Sequence, residues 1–135
     1  MQPDIKKINI LVAEDNLINQ KLINKLLTNR GYQTLVVEDG LKAVEALHNK
    51  SFDLVLMDIQ MPIMDGYQAT SYIRNVERLT GDHIPIIAVT AFAMDSDRQK
   101  CYELGMDDFL AKPFNKMDFY NIIEKHLSSG RVISS

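Results

Sequence analysis

Three carboxylates in this chain fall where an apolar run stops. Asp58 closes Asp53-Leu54-Val55-Leu56-Met57-Asp58, and the breaker-rich Ile59-Gln60-Met61-Pro62-Ile63-Met64-Asp65-Gly66 follows at once. Glu14 and Asp15 end Ile8-Asn9-Ile10-Leu11-Val12-Ala13 in the same way. If both runs are strands, the three acids converge on one rim. Two like charges ~4 Å apart repel by about 1 kcal/mol in bulk water and about 4 kcal/mol at an effective dielectric of 20. A cation must relieve that repulsion. Mg²⁺ takes hard oxygen ligands, typically a few carboxylates with water and phosphate, and Mn²⁺ is the second choice. No His or Cys cluster favours zinc.

Two further residues face the same chemistry. Ile86-Ile87-Ala88-Val89-Thr90-Ala91 brings a hydroxyl to the end of a third apolar run, and Leu110-Ala111-Lys112-Pro113 brings an ammonium to the end of a fourth. A lysine beside an anionic site binds phosphoryl oxygens as a compact charge. Pro113 excludes a helical Lys112. Taken singly, each residue has an ordinary reading. Glu14 or Asp15 can serve the next helix's N-terminus, Thr90 can be a strand former, and Lys112 can be a surface lysine.

The elements that must position them alternate. Apolar runs at 8–13, 34–37, 53–58, 84–89 and, weakly, 108–111 are separated by segments of helical period. Four of the runs lack period-2 alternation, as strands buried on both faces do. Residues 16–30 carry Leu17, Ile18, Leu22, Ile23, Leu26 and Leu27, with Gly31 as the stop. Residues 40–49 place Leu41, Val44 and Leu47 on one face behind Asp39, and 66–78 carry Tyr67, Thr70, Ile73 and Val76. Residues 95–104 offer a core only Cys101, Leu104 and Tyr102, which makes this the most weakly anchored helix. The last helix starts at Asn115 and buries Phe119, Ile122, Ile123 and Leu127. Five β–α units predict an α/β fold, a flavodoxin-like (βα)5 doubly wound parallel sheet of strand order 2-1-3-4-5. Its ligand crevice lies beyond the carboxyl ends of strands one and three. Those ends carry Glu14, Asp15 and Asp58.

The bounds are those of one domain. The chain has 135 residues, 46% hydrophobic and 24% charged, with a formal net charge of −3. That argues against a disordered chain and gives no basic nucleic-acid footprint. One cysteine, Cys101, excludes an internal disulfide. No apolar stretch approaches the ~20 residues of a membrane span, and the first residues lack a signal peptide's apolar segment. The expectation is a cytoplasmic domain at 8–127, with an extension at 1–7 and a flexible tail at 128–135. A segment of a longer chain would look the same.

In order and at regular spacing, the chain carries Leu11-Val12-Ala13-Glu14-Asp15-Asn16 with Asn19-Gln20, Leu56-Met57-Asp58 with Met61-Pro62-Ile63-Met64-Asp65-Gly66, Pro85-Ile86-Ile87-Ala88-Val89-Thr90-Ala91, and Gly105-Met106-Asp107-Asp108-Phe109-Leu110-Ala111-Lys112-Pro113. These resemble the receiver domains of response regulators in two-component phosphorelays, most narrowly the receivers of hybrid sensor histidine kinases. The first acid is Glu14 where Asp is commoner. The resemblance implies that Asp58 is the phosphoacceptor. It implies that Glu14, Asp15, Asp58 and the backbone carbonyl of Gln60 hold Mg²⁺, and that Lys112 and Thr90 grip the phosphoryl group. It further implies a cis Lys112–Pro113 peptide and a switch that couples Thr90 to Phe109, with Gln60 and Phe92 flanking the path of attacking water. Phe109 alternatively is an ordinary core aromatic. The implied partner is a histidine kinase or histidine phosphotransfer domain, with no nucleic-acid or membrane contact by this domain. The parent kinase could itself be membrane-anchored. Leu17 and Ile18, at the active rim, are candidates to dock the helical bundle bearing that histidine; the alternative is that the sheet buries the whole apolar set.

Three rivals are weaker. A flavodoxin needs a phosphate-cradling loop after strand one, where Glu14-Asp15-Asn16-Leu17 would repel phosphate. A haloacid-dehalogenase-type phosphatase needs a second Asp where Gln60 stands. A receiver-like adaptor that takes no phosphoryl group has no use for Glu14, Asp15, Asp58, Thr90 and Lys112 together. Catalysis, on the favoured reading, is confined to self-phosphorylation and slow self-hydrolysis.

Overall fold

The computed structural model describes residues 7–132. Five strands, β1 (Asn9–Ala13), β2 (Gln33–Val37), β3 (Leu54–Met57), β4 (Ile86–Thr90) and β5 (Asp108–Ala111), alternate with five helices. These are α1 (Leu17–Asn29), α2 (Gly40–Asn49), α3 (Gly66–Thr80), α4 (Asp95–Glu103) and α5 (Lys116–Val132). The sheet is parallel throughout, in the order β2-β1-β3-β4-β5. This is the expected doubly wound fold.

The apolar runs show no alternation because each strand feeds two cores. Leu11, Ala13, Val55, Met57, Ile86 and Ala88 face Ala43, Val44, Ala69, Ile73, Cys101 and Met106 from α2, α3 and the α4 region. Their neighbours Ile10, Val12, Leu54, Leu56, Ile87 and Val89 face Ile23, Leu26, Leu27, Phe119, Ile123 and Leu127 from α1 and α5. Successive side chains on a strand point to opposite faces, so both sets must be apolar. β2 is the exception. It is an edge strand with Leu35 exposed and no residue fully buried, contrary to the two-sided burial expected of that run.

Helix ends follow local chemistry. Asn16, Asp39 and Asp65 cap α1, α2 and α3 by accepting the backbone N–H three residues on. Gly31 and Gly81 leave helices at φ 82° and 80°, a region glycine enters freely. Leu41, expected in the α2 stripe, is exposed and Ala43 is buried instead. In α4 only Cys101 is buried, so that helix is as thinly anchored as its sequence predicts. The α5 backbone continues to Val132, past the boundary expected at 127, so the expected tail is helical over its first five positions. Residues 1–6 and 133–135, where the extension and the rest of the tail were expected, lie outside the described residues.

Candidate active site

Register brings the chemistry together. Ala13 pairs with Met57 and Met57 with Ala88, so Glu14 and Asp58 emerge side by side at the carboxyl edge. Thr90 pairs with Ala111, which delivers Lys112 one step beyond. Backbone ties extend the ladders past their formal ends. Asp58 N–H donates to Ala13 O at 3.0 Å, Glu14 N–H to Val37 O at 3.0 Å, and Lys112 N–H to Thr90 O at 2.9 Å. The Lys112–Pro113 peptide is cis.

The resulting cleft, about 540 Å³, is lined by Glu14, Asp15, Asn16, Asn19, Asp58, Gln60, Met61, Pro62, Thr90, Ala91, Phe92 and Lys112. Glu14, Asp15 and Asp58 each offer an oxygen within 4.8 Å of the others. Asp15 is exposed, whereas Glu14 and Asp58 are 2% and 8% exposed. The Lys112 ammonium lies between the buried pair, 2.5 Å from Glu14 Oε1 and 3.0 Å from Asp58 Oδ2. Glu14 Oε2 accepts the Asn16 N–H at 3.0 Å, and the Gln20 amide donates to the Glu14 carbonyl at 2.6 Å.

The electrostatics follow from burial. Burial raises the Glu14 carboxyl above its ordinary value, despite the Lys112 hydrogen bond and ammonium that pull it down. For Lys112 burial acts downward, but hydrogen bonds and charges from Glu14 and Asp58 prevail and raise it. The ion pair is real on both sides; the carboxylate simply loses more by leaving water. A site with two buried acids, one exposed acid and a single ammonium remains short of positive charge. Three hard oxygen donors in that arrangement fit Mg²⁺ or Mn²⁺ and not a soft metal.

The sequence-derived candidates divide cleanly. Glu14, Asp15, Asp58, Thr90, Lys112, Gln60 and Phe92 all reach one cleft. Thr90 is 1% exposed, and its hydroxyl accepts the Phe92 N–H at 3.1 Å. Phe109 is not at the cleft: it is buried in the core under α4, with the Arg98 guanidinium 5.0 Å from its ring. Leu17 and Ile18 are 62% and 77% exposed and Leu22 is exposed with them, while Ile23, Leu26 and Leu27 are buried. The wide apolar arc of α1 is therefore divided between core and solvent. Sequence reasoning passed over the brace from Gln20. It also passed over the role of Gly66, where a Cβ would lie 2.2 Å from the Asp58 carbonyl oxygen. The second was readable in Asp65-Gly66, since a glycine opening a helix signals close approach.

Comparison with known proteins agrees with this geometry. Residues 10–124 match the response regulator receiver domain family. The chain is 50% identical over 123 residues to hybrid signal transduction histidine kinase I of Dictyostelium discoideum, covering 87% of this chain but 7% of that protein. It is 44% identical over 121 residues to the Candida albicans transcription factor SKN7, covering 90% of this chain and 21% of that one. The chain thus spans a small part of the curated relatives it matches first. Among solved structures, the receiver domain of the sensor histidine kinase PA1611 from Pseudomonas aeruginosa, with magnesium in its active-site cleft, is 40% identical at a TM-score of 0.83, covering 91% and 99% of the two chains. The receiver of Saccharomyces cerevisiae Ssk1, crystallised with the histidine phosphotransfer protein Ypd1, is 30% identical at a TM-score of 0.81, covering 87% of each.

Proposed function

The chain belongs to the response regulator receiver family of two-component systems, and from that membership we propose that Asp58 accepts a phosphoryl group from a phosphohistidine. An Asp58 carboxylate oxygen attacks phosphorus; the P–N bond breaks as the P–O bond forms, and the imidazole leaves with the electron pair and takes a proton. Glu14, Asp15, Asp58 and the Gln60 carbonyl would hold Mg²⁺ or Mn²⁺, which supplies charge neutralisation to the phosphoryl oxygens. Lys112, already against Asp58, moves to a phosphoryl oxygen, and the Thr90 hydroxyl donates its O–H to another. The observation that carries this reading is the Lys112 ammonium bound between Glu14 and Asp58 at the base of an acid-lined cleft.

Transfer from a protein donor requires a docking face. The exposed Leu17 and Ile18 supply one at the rim for a histidine kinase or histidine phosphotransfer domain. The switch that follows runs from Thr90 toward Phe109 and α4. Phe109 is buried beneath α4, so a shift of its ring would be felt by α4 and by the β4–α4 loop. No helix among the described residues is long and apolar enough to cross a membrane; the cytoplasmic placement we propose rests on membership of the receiver family.

The test is intact mass after incubation with Mg²⁺ and a small phosphodonor. Wild type is expected to gain one phosphoryl group and Asp58→Asn none, with EDTA abolishing the gain; a wild type that stays unmodified rejects the assignment. Leu17→Glu and Ile18→Glu are expected to slow transfer from a phosphorylated histidine protein and leave the small donor's rate intact. Equal loss with both donors would reject docking through α1.

A further inference from the structure

A second cleft, about 510 Å³, lies between the carboxyl-terminal halves of α2 and α3. The segments leading into β3 and β4 close it at the amino-terminal edge of the sheet. It shares no lining residue with the acidic cleft at the opposite edge. Its size is that of a small-molecule site, roughly 300–1,000 Å³. The floor is apolar: Val44 and Ile73 are buried, and Phe52, Val76 and Ile84 are half-buried. The His48 ring of α2 meets the Tyr72 ring of α3 edge-on, with 6.0 Å between centroids, which ties the two walls together.

The walls differ in which polar groups are already bonded. On the α3 side, Glu77 Oε1 accepts from Arg74 at 2.6 Å and Oε2 accepts the Ile84 N–H at 2.7 Å. The Thr80 hydroxyl donates to the Glu77 carbonyl and accepts the Asp82 N–H, and His83 Nε2 lies 2.7 Å from Asp107 Oδ1. Of that wall's acids, Asp82 alone has a carboxylate with no partner among the described residues. On the α2 side the donors are free. The Lys50 ammonium lies 5.4 Å from the centroid of the Phe52 ring and pairs with no carboxylate among the described residues. The neighbouring Ser51 hydroxyl likewise has no hydrogen-bond partner among them. An ammonium over an aromatic floor, with a hydroxyl beside it, suits a carboxylate whose body is apolar. Asp82 on the facing wall disfavours a second negative charge.

We propose that this cleft binds a small monocarboxylate, its head on Lys50 and Ser51 and its apolar body against Phe52, Ile73 and Val76. The assignment goes beyond the phosphoacceptor reading and does not rest on it.

The experiment titrates the full chain with 3-phenylpropionate, 3-phenylpropionamide and phenylalanine, followed by backbone amide chemical shifts. 3-Phenylpropionate is expected to bind with a Kd on the order of a millimolar. Its shifts are expected within 44–52 and 72–84, with Glu14, Asp58 and Lys112 unmoved. The amide removes the charge and phenylalanine sets an ammonium against Lys50, so both are expected to bind more weakly. Lys50→Met keeps the apolar stem at an exposed position, so folding is not at risk, and is expected to weaken 3-phenylpropionate about fivefold. Equal affinity for the acid and the amide, or an Lys50→Met variant that binds like wild type, would overturn carboxylate recognition. Tighter binding of phenylalanine would overturn the monocarboxylate assignment in favour of a zwitterion. Shifts that are absent, or that fall on the acidic cleft instead, would overturn the site itself.

Discussion

Lys112 is the residue on which the proposed transfer is most directly tested. Its ammonium bridges two buried carboxylates, Glu14 and Asp58, and offsets part of their charge. Removing it would leave both acids buried with no partner from this residue, and the transferring group without its protein-borne cation. Charge-stabilising donors of this kind are each worth roughly a hundred- to a thousandfold in rate. Lys112→Ala is therefore expected to slow phosphorylation of Asp58 by small donors on the order of a hundredfold. Single-turnover rates measure it, and a rate within twofold of wild type would mean the lysine is structural. The identities of Glu14, Asp15, Asp58, Thr90 and Lys112 as candidates were legible because each ends an apolar run. The left-handed backbone of Ile63, at φ 69°, was not: nothing in Pro62-Ile63-Met64 announces a positive φ.

At the scale of elements, α4 stands out for what holds it. Its own stripe contributes only Cys101, so its place depends on neighbours. The turn after it is fixed by Arg74 of α3, which donates to Gly105 O at 2.8 Å, to Glu77 at 2.6 Å and to Asp107 at 2.8 Å. Asp107 in turn accepts the Ile86 N–H at 2.8 Å. The approach to α4 is tied by short-range bonds, Phe92 N–H to the Thr90 hydroxyl at 3.1 Å and Met94 N–H to the Asp97 carboxylate at 3.2 Å, and Phe92 and Met94 are exposed, so displacement is expected there. Asp108 joins three elements. Its carboxylate accepts from Tyr102 of α4 at 3.4 Å, lies 2.8 Å from His126 Nε2 of α5, and accepts the Phe109 N–H at 2.9 Å. Burial raises its pKa, but the His126 and Phe109 hydrogen bonds and Lys125 outweigh burial and hold it below the ordinary carboxylate value. A group depressed in this way contributes stability above its unfolded pKa and loses it as pH falls through the folded one. Asp108→Asn should thus lower Tm at pH 7, with the gap to wild type narrowing below about pH 4. Thermal melts across pH measure it, and a gap that persists unchanged into acid would show that ionisation is not what Asp108 contributes.

For the molecule as a whole, the acidic cleft is expected to make stability depend on cations. A ligand that binds only the folded state adds about 2.7 kcal/mol at a concentration one hundred times its Kd. Millimolar Mg²⁺ is expected to raise the Tm of wild type and EDTA to reverse it, with Asp15→Asn blunting the response. Circular-dichroism melts with and without Mg²⁺ read this directly, and an unresponsive wild type would remove the metal site. The two faces of the sheet bear different duties in this arrangement. α1 and α5 pack a core that includes fully buried Phe119 and Ile123, whereas the α4 side carries the thinly held helix and Phe109.

The residue pattern alone determined the class of fold, the strand order and the rim on which the acids gather, because strand period and parallel connectivity are local or nearly local rules. It also contained the helix stops at Gly31 and the thinness of α4. The tertiary structure decided which of the apolar residues on α1 reach solvent, that β2 is half-exposed at an edge, and that Phe109 is buried in the core under α4. It alone placed Lys112 between Glu14 and Asp58 and imposed a left-handed turn on Ile63. Those outcomes depend on which segments distant in the chain come to lie side by side, and no spacing within a single segment encodes them.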